Sequence, residues 1–97
     1  MIGVVATLKV KEGSEALFEA GFKDLAAKVK ANEPGNLVYQ LTKSRTEAGT
    51  YKVLELYADE DALKHHGQTE YFKAAGASVF AGALAGRPEI EYLDAVE

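Results

Sequence analysis

The chain has 97 residues and a formal net charge of −4, with two histidines, no cysteine and no tryptophan. Residues 1–97 are enough for a single domain, since a split would leave neither half with a core. The acidic balance and the scatter of its eleven basic residues exclude a phosphate-tracking surface for nucleic acid, and the missing cysteines exclude disulfides, thiol nucleophiles and thiolate metal sites.

The opening "MIGVVATLKV" lacks the basic flank and cleavage pattern of a secretory signal, and its alternation of Ile2, Val4, Ala6, Leu8 and Val10 with Gly3, Val5, Thr7 and Lys9 predicts a strand. From Ser14, a candidate N-cap, "SEALFEAGFKDLAAKVKAN" sets Phe18, Phe22, Leu25 and Val29 on one helical stripe that stops before "EPG". "NLVYQLTKS" and "TYKVLELYA", joined by "RTEAG", read as a hairpin. "DEDALKHH" is a short helix whose acidic first turn suits the positive end of the helix dipole, and Gly67 is expected to end it. "TEYFKAAGASVFAGAL" reads as one further helix with Phe72, Gly76, Val79 and Ala83 along a face, and Pro88 opens a last strand, "EIEYLDAV". The uncharged run 74–86, "AAGASVFAGALAG", is too short to span a bilayer. A soluble, cytoplasmic protein that binds neither membrane nor nucleic acid is expected.

The order β-α-β-β-α-α-β predicts an α+β, ferredoxin-like sandwich: an antiparallel sheet with helices on one face. The third strand alternates Tyr51, Val53, Glu55 and Tyr57 against Lys52, Leu54, Leu56 and Ala58, so both faces carry apolar side chains. A sheet wet on one side shows a cleaner alternation. Helices can cover only one face, so the other is expected to pack on a second copy, giving a homodimer.

The stretch "ALKHHGQTEYF" holds both histidines. Adjacent helical residues diverge by about 100°, so the two cannot share a face or chelate one ion, and no metal site is expected. His65 lies one turn after Asp61 and faces water, whereas His66 lies one turn after Ala62 and Leu63 and faces the sheet. At the end of a helix the dipole favours the imidazolium of His66 while burial opposes it.

The pattern E-x-Y-x-D-x-x-A-L-x-x-H-x-x-T-x-x-F from Glu55 to Phe72, together with "EPGNLVYQL" and "LKVKEGSEALFEAGF", resembles the antibiotic biosynthesis monooxygenase family, also called the YgiN-like quinol monooxygenases. The resemblance covers most of the chain and places the family histidine on His66. It implies a dimeric α/β-barrel with a substrate cavity between sheet and helices. It also implies oxygenation of small quinol- or anthrone-like aromatics by O2 with no cofactor, neither metal nor flavin. Family members often carry a second histidine just before the phenylalanine; here that position is Tyr71.

Under that resemblance His66 serves as general base or oxyanion partner, although a half-buried histidine bonded to backbone fits the same pattern. Glu55, mid-strand between two leucines, either orients His66 or belongs to a structural ion pair with a lysine or Arg45. Asn36 is either a turn asparagine or a hydrogen-bond donor to substrate. Tyr39, Tyr57 and Tyr71 are core residues or hydroxyl donors to a quinone oxygen, and Phe72 is core or cavity wall. Other activities in similar proteins are haem degradation, which relies on a tryptophan this chain lacks, and isomerisation of a small phosphorylated ketone, as in the autoinducer-2-degrading protein. Lys43, Arg45, Lys52 or Arg87 would have to hold that phosphate. A non-enzymatic ligand-binding or stress-response barrel is the third class.

Overall fold

The computed structural model describes residues 1–96. Strand β1, Ile2–Lys9, is followed by helix α1, Glu15–Asn32, and by the hairpin β2, Asn36–Lys43, and β3, Thr50–Tyr57. Two short helices come next, α2, Glu60–Gln68, and α3, Glu70–Ala75. A widened π-helical turn at Gly76–Phe80 and one α-turn at Ala81–Ala83 lead to β4, Glu89–Asp94. The sheet order is β2-β3-β1-β4 with every neighbouring pair antiparallel. β1 and β2 therefore run parallel on either side of β3, and α1 crosses between them as the helix of a split β-α-β unit. This is the expected ferredoxin-like α+β arrangement.

The helices cover one face. Ala6 and Leu8 of β1 and Tyr51 and Val53 of β3 meet Phe18, Phe22, Leu25 and Val29 of α1, all buried. The i, i+4, i+7, i+11 spacing of the four α1 residues keeps them on one stripe over the sheet. Aromatic rings fill the layer: Phe18 packs on Tyr51 with centroids 4.9 Å apart, and Phe22 stacks on Tyr39 at 5.3 Å. Ser14 occupies the N-cap position of α1, but its side chain makes no capping bond.

Two expectations need correction in the second half. Gly67 does not end α2; the helix runs on to Gln68 and stops at Thr69. Thr69 is extended (φ −69°, ψ 146°), donates its hydroxyl to the His66 carbonyl at 2.9 Å and accepts the Phe72 N–H at 3.4 Å. One side chain thus satisfies groups that both helix ends leave open, a stronger stop than a glycine with no contact to make. The stretch after it is not one helix. Ser78 donates to the Ala74 carbonyl at 2.8 Å, and the ladder widens into the π turn. That turn rests on α1 where Gly21 leaves room: a Cβ there would lie 2.6 Å from Val79.

The other sheet face is apolar and uncovered by this chain. Val5 pairs with Leu54, and Gly3 lies between Leu56 and Leu93. Leu54, Leu93 and Val38 keep 42%, 43% and 43% of their surface exposed. Among the described residues no helix is long and apolar enough to cross a membrane.

Phe18 is fully buried against both the sheet and the π turn. Phe18→Ala is expected to lower the unfolding free energy by ~3–5 kcal/mol, measured by urea denaturation, because the tightly packed layer cannot collapse into the void.

Candidate active site

His66 points from the last turn of α2 toward the sheet, as its helical phase requires, and is 5% exposed. Its Nδ1 lies 3.0 and 3.2 Å from the two carboxylate oxygens of Glu33, a residue 4% exposed at the C-terminal end of α1. Tyr71 of α3 donates its hydroxyl to the same carboxylate. A carboxylate only accepts, so Nδ1 carries the hydrogen and Nε2 is left as a basic lone pair. Gly35 makes the approach possible. Ala62 of α2 occupies the space a side chain would need, 2.7 Å from where a Cβ would stand, so α2 settles directly on the 33–36 segment.

An aromatic shell closes around the imidazole. Phe72, Tyr39 and Tyr57 lie at ring-centroid distances of 4.6, 5.1 and 5.6 Å. Burial pushes the His66 pKa below its ordinary 6.5, with the Glu33 carboxylate pulling the other way and losing. The imidazole is therefore neutral near pH 7, and its contact with Glu33 is a hydrogen bond to a carboxylate rather than a full ion pair.

His66 opens onto a cavity of about 800 Å³ between sheet and helices, mostly apolar and within the size of small-molecule sites. Val4, Phe22, Tyr39, Phe72 and Phe80 supply much of its wall. Glu55 also lines it, and its Oε1 accepts the Tyr57 hydroxyl at 2.6 Å. Burial, reinforced by nearby Glu33 and opposed by the Tyr57 bond, pushes the Glu55 carboxyl up to about 7. Burial likewise raises Tyr39 and Tyr57, while burial and the Glu33 bond push Tyr71 up to about 12, so all three hydroxyls stay protonated.

All the predicted site residues but Asn36 thus join the network of His66, Glu33 and Glu55, with different contacts from those expected. Glu33, not Glu55, is the carboxylate on His66, and Glu55 bonds Tyr57 rather than a lysine or Arg45. Tyr71, at the position of the family's second histidine, holds Glu33. Tyr39 and Phe72 line the cavity; Tyr57 is linked to it through Glu55, and Tyr71 only through Glu33 and His66. Asn36 is outside the lining, and its side-chain amide is buried with neither Oδ1 nor Nδ2 hydrogen-bonded among the described residues. Helical periodicity does not single out Glu33, because it opens "EPG" just past the apolar stripe of α1. The available signal was an acidic side chain at a helix C-terminus, where the dipole disfavours it unless a partner compensates. Among the described residues no group of three or more histidine or carboxylate side chains is placed to hold a metal ion.

Residues 1–78 match the model of the antibiotic biosynthesis monooxygenase family, and the chain belongs to that family. It is 34% identical over 73 residues to the Bacillus subtilis strain 168 protein named "Putative monooxygenase YcnE", covering 75% of this chain and 76% of that one. A crystal structure from Caulobacter crescentus CB15 is 72% identical, with a TM-score of 0.95 over 99% of this chain and 90% of that one. A conserved protein from Methanosarcina mazei Go1 keeps the fold at 25% identity, with a TM-score of 0.87 over 95% of this chain and 89% of that one.

His66 is expected to titrate below 6.5 in an NMR pH series. Glu33→Gln should move its midpoint lower still, because the carboxylate is the group that raises it. The linked stability has a fixed sign: with the folded pKa depressed, the unfolded chain takes up the proton first. The His66 contribution is complete above pH 6.5 and declines as the pH falls through the folded value.

Proposed function

We propose that the protein is a cofactor-independent monooxygenase of a small quinol- or anthrone-like aromatic, with His66 as general base. The observation that carries this reading is a neutral imidazole, held by Glu33 at 3.0 Å, opening onto an apolar cavity of about 800 Å³. Nε2 takes a proton from the phenol or from the activated methylene of an anthrone, leaving an electron-rich anion that reduces O2 without a mediator. For an anthrone the balance is simple: the methylene carbon gains one oxygen as a carbonyl. Its two hydrogens leave with the other oxygen atom as water.

Glu33 acts as a positioning residue. It fixes the tautomer and ring orientation and stabilises the imidazolium that forms after proton transfer. The aromatic shell excludes water, which keeps the imidazole in its neutral, proton-accepting form and the anion from being reprotonated by solvent. The isomerase alternative needs cations for a phosphate, and Lys43, Arg45, Lys52 and Arg87 are all outside the cavity lining. The lining instead carries Glu55, Glu60 and Asp94 against Lys64. An uncharged, flat ligand fits that balance.

The reading includes a homodimer closed through the bare sheet face, where Val5, Leu54, Leu56, Leu93 and Val38 form a continuous apolar surface. Covering such a face is worth roughly 25 cal/mol per Å² of apolar area removed from water. Leu54→Glu places a charge at its centre and is expected to give monomers in sedimentation velocity.

Oxygen uptake with metal-stripped protein and a panel of naphthohydroquinones and anthrones tests the chemistry, with the protein-free autoxidation rate subtracted. His66→Ala is expected to lower the enzymatic rate ~10²–10⁴-fold, the range for a general base. Wild-type uptake no faster than autoxidation across the panel overturns the reading.

A further inference from the structure

Glu55 has no role in the proton transfer described above, yet it is the acidic side chain that the central strand β3 brings to the cavity, Asp94 lying on the edge strand β4. It stands between Val4 of β1 and Tyr39 of β2 in the strand register. Among the described residues its carboxyl has one hydrogen-bond partner, the Tyr57 hydroxyl at Oε1. A carboxyl group walled by valine and aromatic rings, with a single donor in place of a full hydration shell, is poorly supported as an anion. The titratable groups around it are Tyr57 on its own strand, Tyr39 on β2, Glu33 after α1, His66, Glu60 and Lys64 on α2, and Tyr92 and Asp94 on β4. Only Lys64 and an ionised His66 could offset a negative charge there, and His66 is neutral.

We propose that Glu55 is the cavity's hydrogen-bond donor to a carbonyl oxygen of the ligand, acting on a different ligand oxygen from the one His66 serves. The chemistry follows from which oxygen holds the proton. Tyr57 donates to Oε1, so the acidic hydrogen of the neutral carboxyl resides on Oε2, the oxygen left for a ligand. The substrate class narrows accordingly to rings that carry a carbonyl in addition to an ionisable hydroxyl or methylene. A hydrogen bond to that carbonyl stabilises the anion left by deprotonation, because the negative charge delocalises onto it. Carboxylated, sulfonated or phosphorylated rings are rejected, since they would meet Glu60 and Asp94.

This inference rests on the oxygenase reading for its substrate but is tested without turnover. The probe is 1,4-naphthoquinone, which has two carbonyls and no proton for His66 to remove, with binding followed by quenching of tyrosine fluorescence. With the Glu55 carboxyl titrating at about 7, the dissociation constant is expected to weaken roughly 30-fold between pH 6 and pH 8.5, as the donor form is depleted. Glu55→Gln, whose amide donates at every pH, should bind with a flat profile. Tyr57→Phe, which removes the bond that favours the anion, should move the midpoint upward, and it supplies an independent check should the glutamine variant fail to fold. A flat wild-type profile, no quinone binding, an unchanged midpoint in Tyr57→Phe or a pH dependence that persists in Glu55→Gln overturns the assignment. If oxygen uptake fails while the quinone profile holds, the oxygenase reading falls and Glu55 keeps its role. Uptake accompanied by a flat quinone profile removes Glu55 alone.

Discussion

The buried contact between Glu33 and His66 is the constraint on which the rest of the site depends. A carboxylate that is only 4% exposed costs several kcal/mol unless its oxygens are bonded. Glu33 carries a further penalty at the C-terminal end of α1, where the helix dipole already presents partial negative charge. His66 and Tyr71 together satisfy it, and they come from different helices. The contact therefore ties the end of α1 to α2 and α3, and it sets where the imidazole stands over the sheet. Losing either donor leaves a buried anion under-satisfied, so the helices and the site hold or fail together.

The cavity owes its room to irregularities in the helical layer. A single straight helix over residues 60–84 would lay a regular ridge on the sheet. Instead the break at Thr69 turns Phe72 toward His66, and the π turn brings Phe80 over Phe22. The β4 side is left open, with Ile90 and Tyr92 lining the cavity yet 45% and 64% exposed. One sheet face is thus used twice: α1 packs it over Ala6, Leu8, Tyr51 and Val53, and beyond α1 it becomes a cavity wall at Val4, Glu55 and Ile90.

Two carboxyl groups within this small volume are driven to different tasks by their surroundings. Glu33 has two donors and serves as an acceptor; Glu55 has one, on a largely apolar wall, and titrates near neutrality. A relative at 25% identity keeps the fold, and a fold by itself does not fix a chemistry.

The sequence by itself determined the element order, the sheet's helix-facing side and the direction of His66. Each follows from local periodicity: a period of two on β1 and β3, and the four-residue return from Ala62 to His66. The pattern from Glu55 to Phe72 also carried the family. Tertiary structure decided which carboxylate meets the histidine, because the 33-residue separation between Glu33 and His66 leaves no periodic trace. It decided the fate of Gly67 and of the residues after it as well, since the Thr69 hydroxyl and the room left by Gly21 act across elements rather than along one. Local rules fix which way a side chain faces. What it faces depends on how the helices settle on the sheet, and here that is set by the demand that a buried carboxylate find its donors.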